Sequence, residues 1–380
     1  MSGVTDDPRL IEAKAMPMSA VVDRLGIARL VKQGTELIGP CPLCGGRDRF
    51  GINLRTALFQ CRQCGIKGGD QVALVREVLG LGFRDALKWL CGDAPAFLDP
   101  AEMERRRAAA AAAAAKQQEQ AAAYRDRAIR DARRIWDQSL DGNRGVVRAY
   151  LSARGITPAM LPDLPRCLRF QLDHQYQKWI GGRQVDHSGP CMIAAVQAPS
   201  GAVVAVHQTW VSMDPPHGKA VIMDGGKPLL IDGKPAAAKL VRGAKKGGAI
   251  RLHTPRGSDT LIMGEGIETT LTAMAANAVA GAAYWAGVDL GNMAGIMKKV
   301  PGTRASGIPD MSDNRAFFPP PWVRRLIFIQ DGDSAPKPTR AKLESGLRRA
   351  MARVPGLKGQ IVHAGEGVDL NDVLNKGDDE

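Results

Sequence analysis

The chain has 380 residues, enough for two or three compact units, and its 44% apolar content is sufficient for buried cores. No apolar run is long enough to cross a bilayer, and the N-terminus mixes charged and apolar residues unlike a signal peptide, so we expect a cytoplasmic protein without a membrane partner. The formal charge of +13 favours a polyanionic partner such as nucleic acid; a basic surface without a partner is the alternative.

The N-terminal part predicts a compact unit over residues 1–95. Residues 8–33 predict a short helical lead-in, and residues 38–69 are rich in Gly and Cys. Asp70 predicts the N-cap of a helix over Gln71–Leu79, because its side chain can accept hydrogen bonds from the free amides of the first turn.

An alanine-rich segment follows. Glu102 to Gln138 contains eight consecutive alanines and neither Pro nor Gly. Because alanine is the best helix former, this composition predicts a long solvated helix that serves as a semi-rigid linker over residues 96–140. A disordered low-complexity tract is the alternative.

The remaining chain predicts two further domains. Residues 141–255 predict a mixed α/β subdomain, with strands over Cys191–Val196 and Ala202–Val211. Residues 256–380 alternate strand and helix, which predicts a parallel sheet with covering helices. The predicted fold class is therefore a multidomain combination of α+β and α/β architecture.

Four of the seven cysteines form two CxxC pairs separated by sixteen residues: Cys41, Cys44, Cys61 and Cys64. Four thiolates that converge on one tetrahedral ion suit zinc, so the spacing predicts one structural zinc in a zinc ribbon. A redox CxxC is the alternative, which the pairing of two motifs disfavours.

Basic and aromatic residues surround these cysteines. Arg47 and Arg49 can neutralise phosphates, and Phe50 and Phe59 can stack on unpaired bases. The aromatic rings can instead form the small core of the ribbon, which is the favoured interpretation for Phe59.

The pattern Cys41-Pro42-x-Cys44 … Arg49-Phe50 … Phe59-x-Cys61-x-x-Cys64-Gly65-x-x-Gly68-Gly69-Asp70 resembles the zinc-binding domain of bacterial and phage primases. Many bacterial members have a histidine ligand, whereas all four ligands here are cysteines, as in several phage-type enzymes. In that family the ribbon recognises a short template trinucleotide, so the resemblance implies recognition of single-stranded DNA.

Acidic residues follow three predicted strands. Glu265 stands between two glycines after the first strand, Asp331 and Asp333 follow the second, and Asp369 and Asp372 follow the third. Carboxyl ends of parallel strands meet at one sheet edge, and clustered carboxylates favour Mg²⁺ or Mn²⁺. For Glu265 alone, an ordinary strand-to-helix turn with a solvated side chain is the alternative.

This order of acids resembles the toprim domain. The resemblance implies that Glu265 is a metal-site acid/base residue, that Asp331 and Asp333 are metal ligands, and that Asp369 is an auxiliary ligand. Many primases carry an acid four residues after the first Glu, where this chain has Thr269, with Glu268 just before it. Residues 145–255 resemble the part that precedes toprim in phage and mobile-element primases.

Together the two resemblances imply a DNA primase that makes RNA primers from ribonucleoside triphosphates. The alternatives are a toprim nuclease and a non-catalytic single-strand-binding adaptor. A basic stretch without acids predicts template or triphosphate contacts, against a merely solvated face; its members include Lys239, Arg242, Lys245, Lys246 and Arg251. No GxxxxGK[ST] motif occurs, so a helicase partner is expected to be a separate protein.

Overall fold

The computed structural model describes residues 7–363 except 8, 94–99, 144, 181, 232, 299, 301, 302, 304 and 331–335. The chain divides into two compact units. The first comprises the described residues up to Ala122 together with Gln177–Val185, and the second comprises the other described residues from Ala123 onward. No helix in the described ranges has the length and apolar character that a membrane crossing requires.

The first unit contains a five-stranded antiparallel sheet, in chain order, and short helices. Its elements are α1 (Arg9–Ala15), α2 (Met18–Arg24), β1 (Val31–Gln33), β2 (Glu36–Cys41), β3 (Gly45–Asn53), β4 (Phe59–Cys61), β5 (Lys67–Gly68), α3 (Gln71–Leu79) and α4 (Phe83–Cys91). The N-cap prediction is confirmed, because Asp70 accepts a 2.8 Å hydrogen bond from the Ala73 amide. The prediction of a helical lead-in through residue 33 is wrong at its end, where Val31 pairs with Ile38 in a strand.

The alanine-rich segment forms a single helix, α5 (Pro100–Asp137). From Ala123 the helix belongs to the second unit. Ala132 and Ile135 are buried there, and Trp136 packs against the core of that unit. Apolar side chains are concentrated in this last part of the helix, so its C-terminal turns form part of a core instead of the spacer predicted up to residue 140.

The second unit begins with an antiparallel sheet. In chain order this part of the sequence contains β6 (Leu140–Asp141), α6 (Val146–Ser152), β7 (Leu168–Gln175), β8 (Trp179–Ile180), β9 (Arg183–Gln184), β10 (Ser188–Gln197), β11 (Val203–Trp210), β12 (Met223–Asp224), β13 (Lys227–Pro228), β14 (Leu230–Ile231), β15 (Lys234–Pro235) and β16 (Lys239–Gly243). The hairpin of β8 and β9 belongs to the first unit, and the other elements belong to the second. The sheet has the order β16-β11-β10-β7-β6, and each neighbouring pair is antiparallel.

A second, mostly parallel sheet follows in the same unit. Its elements are β17 (Ile250–His253), β18 (Thr260–Gly264), α7 (Ile267–Ala275), β19 (Ala283–Ala286), α8 (Leu290–Ala294), β20 (Arg325–Gln330), α9 (Pro336–Arg353) and β21 (Lys358–His363). The order is β17-β19-β18-β20-β21, in which β17 is antiparallel to its neighbour and the other pairs are parallel.

Helix α7 packs between the two sheets. Its residues Ile267 and Leu271 share a core with Leu151 of α6 and Ala194 of β10. On the other face of the parallel sheet, α9 contributes Leu343 to a core that α8 also joins. This packing brings the start of α7 and the end of β18 close to the antiparallel sheet.

Candidate functional site

The four predicted zinc ligands converge in the first unit. The Sγ atoms of Cys41 and Cys64 are 3.6 Å apart, as are those of Cys44 and Cys61, and all four lie within 4.8 Å of one another. Zn–S bonds of about 2.3 Å in a tetrahedron place the sulfurs about 3.8 Å apart. The cluster therefore fits one structural zinc.

The local backbone supplies tight turns after both CxxC pairs and amide hydrogen bonds to Cys61. Gly45 and Gly65 follow the two CxxC pairs with φ values of +65° and +80°, which residues with side chains rarely adopt. Burial raises the pKa of Cys61, but hydrogen bonds from the Cys64 and Gln63 amides, with the neighbouring thiols, lower it to about 6. Burial raises the pKa of Cys41 and Cys44 in the same cluster, so Cys61 is the thiol that ionises most readily; zinc binds the thiolate, and Cys61 is therefore suited to be its first ligand.

We expect purified protein to contain one zinc per chain and Cys61→Ser to lose it. Structural zinc supplies about 10 kcal/mol or more of apparent folding free energy in small zinc domains, so the ribbon should unfold with the metal. Elemental analysis and thermal unfolding measure both effects. Cys91→Ser, outside the cluster, is the matched control and should keep its zinc. Zinc near zero in freshly prepared wild-type protein would contradict the assignment.

The ribbon separates its aromatic residues from its basic ones. Phe50 is fully buried and Phe59 is 3% exposed, with ring centroids 6.3 Å apart. The interpretation of Phe59 as a core residue is confirmed, base stacking by Phe50 is wrong, and both rings form the core of the ribbon. Arg47 is exposed and Arg49 is half-buried. They lie two residues apart on β3 and so share a face of that strand.

Glu265 lies directly after β18, at the edge of the parallel sheet where its four parallel strands end. Met263 pairs with Phe328, and continuing that register brings Glu265 level with Gln330, the last residue of β20. A Cβ on Gly264 would stand 2.6 Å from the Thr270 hydroxyl oxygen, so the close strand-to-helix turn requires glycine there.

The other four predicted carboxylates, those of Asp331, Asp333, Asp369 and Asp372, lie outside the described residues. In the sequence, the first pair comes directly after β20 and the second pair soon after β21.

A buried carboxylate lies next to this edge, in the first turn of α7. Glu268 is 5% exposed; the Tyr150 hydroxyl donates to its Oε1 at 2.6 Å, and the Lys239 Nζ lies 3.1 Å from Oε1 and 3.3 Å from Oε2. Burial raises the pKa of Glu268, but the charge of Lys239 and the Tyr150 hydrogen bond lower it to about 2. Glu268 is therefore ionised.

Basic side chains surround that carboxylate. The pKa of Lys219 is lowered by burial and then by the charge of Lys239, although much of the Lys219 side chain is exposed. The charge of Arg154 also acts on Lys219 and on Tyr150. The charges of Lys239 and Lys219 both act on the Glu268 carboxylate, so two cations face one buried anion and the local charge is positive.

His207 lies on the same side of the antiparallel sheet as Lys239, since Lys239 pairs with Thr209, two residues away on β11. Burial lowers the pKa of His207 to about 4, and the charge of Lys239 adds to this effect. The imidazole is therefore neutral near pH 7, and it adds no charge to the group.

The predicted basic stretch is not one patch. Arg242 lies three residues from Lys239 on β16 and therefore faces the opposite side of the sheet, where it donates to Asp131 of α5 at 2.6 Å. Lys245 forms an ion pair of 2.5 Å with Asp289. Of the predicted basic residues, Lys239 forms an ion pair with the Glu268 carboxylate.

The last two basic residues differ in their surroundings. Arg251 donates to the Ala198 carbonyl at 2.6 Å, and its guanidinium lies over the Trp285 ring, 4.6 Å from the ring centroid. Lys246 is exposed. Arg251 is thus engaged by the protein itself, whereas the surface location of Lys246 suits a polyanionic ligand.

Sequence reasoning missed Tyr150, His207 and Lys219 as members of the site. They come from three separate segments, and tertiary packing brings them to Glu268. For these residues the sequence carried no signal; the one hint of this part of the site was Glu268, which lies three residues after Glu265.

The chain is similar to one family model and to several solved structures. A family model described as a domain of unknown function, DUF7146, matches residues 126–252. No curated protein matches the sequence. Among solved structures, the chain is similar to the zinc-binding and RNA polymerase domains of the Aquifex aeolicus primase, with 13% identity, a TM-score of 0.35, and coverage of 99% of this chain and 83% of that one.

Two further structures are similar. The primase fragment of the bacteriophage T7 primase-helicase protein has 12% identity and a TM-score of 0.32, with coverage of 90% of this chain and 95% of that one. A DNA primase domain from Pseudomonas aeruginosa has 13% identity and a TM-score of 0.26, with coverage of 54% and 52%. At TM-scores this low, activity has to be argued from the residues of this chain.

Proposed function

We propose that the chain is a DNA primase of the phage or mobile-element type, with a zinc ribbon that binds single-stranded template and a toprim-type sheet that joins ribonucleotides. The observation that carries the proposal is the common edge at which β18, β20 and β21 end. Glu265 lies at that edge, and the sequence supplies further carboxylates after each of the other two strands. Acids that follow several parallel strands suit metal-dependent phosphoryl chemistry.

The donor set fits Mg²⁺ or Mn²⁺, because all of the candidate ligands are hard carboxylate oxygens. Glu265, Asp331 and Asp333 would hold the ions, with Asp369 and Asp372 as auxiliary groups. Bound divalent ions would activate a ribose 3′-hydroxyl and stabilise the pyrophosphate that leaves the α-phosphate. Glu265 would also act as the acid/base group at this edge.

The basic residues supply the polyanion contacts in this proposal. Arg47 and Arg49 on the ribbon would contact template phosphates. Of the predicted basic residues, Lys239 and the exposed Lys246 are the best placed to serve template or triphosphate. Arg242, Lys245 and Arg251 have partners within the protein and would contribute less. A replicative helicase would be a separate partner.

The test is the product formed on a single-stranded template. Full-length protein should convert labelled ribonucleoside triphosphates into short RNA in the presence of Mg²⁺ or Mn²⁺, and EDTA should abolish the reaction. Cut DNA without new RNA would show a toprim nuclease instead. DNA binding with neither product would show a non-catalytic adaptor, and either result would overturn the proposal.

A further inference from the structure

We infer that Glu268 is a positioning residue, which fixes Lys239 for contact with the triphosphate of the incoming nucleotide and does not bind the metal ions. The inference deepens the proposed function and rests on it. It concerns the group formed by Tyr150, Lys239 and Glu268, with Lys219 and Arg154 nearby.

The surroundings of Glu268 disfavour a metal ion. Both carboxylate oxygens already have partners, Oε1 with the Tyr150 hydroxyl and Lys239 and Oε2 with Lys239. A divalent cation would add two positive charges beside Lys239, Lys219 and Arg154, and like charges at such sites repel strongly when partly buried. Glu268 therefore differs from Glu265, which lies at the sheet edge.

The same surroundings favour an anion. The Lys239 side chain is 32% exposed, whereas that of Glu268 is 6% exposed, so the lysine side chain is far more accessible to a ligand than the carboxylate is. An ammonium has three donors, and the two carboxylate oxygens account for two of them. A polyphosphate brings several negative charges and many acceptors, which match the positive excess of this group.

Glu268 keeps this arrangement in place. Without the charge of Glu268, the ammonium groups of Lys239 and Lys219 would repel each other with no anion between them; burial and the charge of Lys239 already lower the pKa of Lys219. Tyr150 fixes the carboxylate in turn, because its hydroxyl is held in the core and donates to Oε1. The acid thus acts on the nucleotide through Lys239.

The decisive variant is Glu268→Gln, assayed for primer synthesis over a range of nucleotide and Mg²⁺ concentrations. Loss of a charge-assisted hydrogen bond should raise KM for the nucleotide about tenfold while kcat changes about twofold or less. The Mg²⁺ concentration for half-maximal rate should stay the same. A higher Mg²⁺ requirement in Glu268→Gln would identify Glu268 as a metal ligand. An unchanged or lower KM would show that the Glu268 charge only repels the nucleotide's phosphates. Either result would overturn the inference.

Matched variants separate positioning from folding. Lys239→Met should raise KM at least as much as Glu268→Gln does. Lys239→Arg, which keeps the positive charge, should have a KM between those of Lys239→Met and the wild type. Tyr150→Phe keeps the buried ring and should raise KM about threefold, since it removes one hydrogen bond; it serves as the test where Glu268→Gln does not fold. Glu344→Gln, in a surface pair on α9, should match wild type. An unchanged KM in both Tyr150→Phe and Lys239→Met would overturn the inference.

A binding measurement distinguishes failure of the inference from failure of the proposed function. Inorganic tripolyphosphate without divalent ions should bind wild-type protein, and Lys239→Met should weaken that binding about tenfold. Lys227→Met, an exposed lysine in the β12–β13 hairpin, is the control. If wild-type protein makes no RNA but Lys239→Met loses tripolyphosphate binding, the proposed function fails and the anion site stands. Equal binding by both proteins would overturn the anion site whatever the RNA assay gives.

Discussion

Glu265→Gln is expected to reduce primer synthesis by about 10³-fold, because loss of an acid/base group or metal-binding carboxylate at a reaction centre removes charge stabilisation from the transition state. The effect should fall on kcat, since the substitution preserves shape and leaves the Lys239 group intact. Asp331→Asn and Asp333→Asn should behave in the same way. Single-turnover synthesis of labelled RNA on a defined template measures the change.

Folding and DNA binding should survive in Glu265→Gln. The residue is half-buried at the end of β18, and removal of one charge from a group of acids relieves repulsion between them. Glu119→Gln on the exposed part of α5 is the matched control and should retain wild-type activity. Near-normal RNA synthesis by Glu265→Gln, in protein with wild-type stability, would show that the reaction centre lies elsewhere.

Local signals in the sequence predicted much of the fold. The N-cap at Asp70 and the helix Gln71–Leu79 match the structure because capping depends on adjacent residues. The parallel sheet was predicted from alternating strands and helices, and the described strands β18, β19, β20 and β21 are parallel. The cysteine spacing predicted a cluster whose four sulfur atoms the fold brings within 4.8 Å of one another.

Long-range packing explains what the sequence could not predict. Tyr150 and Glu268 are 118 residues apart, so no local pattern links them. Lys239 and Arg242 looked like members of one basic patch, but the two-residue period of a strand puts them on opposite faces. Phe50 looked suitable for base stacking, yet in a ribbon this small its ring is needed in the core.

A second large effect is expected in a part of the chain where the sequence suggested no function. Arg349 of α9 is 1% exposed and holds the segment between α8 and β20. Its Nη2 donates to the Phe317 carbonyl at 2.7 Å, its Nη1 donates to the Asp313 carbonyl at 3.3 Å, and Nη1 lies 3.5 Å from the Asp313 carboxylate. This one side chain therefore links α9 to the irregular segment that precedes β20.

We expect Arg349→Met to lower the free energy of unfolding by about 3 kcal/mol, since removing one partner leaves a buried charge without its counterion. The loss is at the lower end for such pairs because the amides of Ile296, Arg315 and Ala316 still donate to the Asp313 carboxylate. Urea denaturation at pH 7 measures the change. Arg340→Met, on the exposed side of the same helix, should cost about 0.5 kcal/mol or less.

The pH dependence gives the same prediction an independent test. Burial raises the pKa of Asp313, but the backbone amides and Arg349 outweigh it and hold the pKa of that carboxyl in the folded protein below its ordinary value. Stability from a carboxyl with a lowered pKa is present above the unfolded pKa and is lost as pH falls through the folded pKa. The difference between wild type and Arg349→Met should therefore be largest near pH 7 and shrink below about pH 4. A difference no larger than that of Arg340→Met, or one that grows in acid, would show that the Asp313–Arg349 pair does not stabilise this segment.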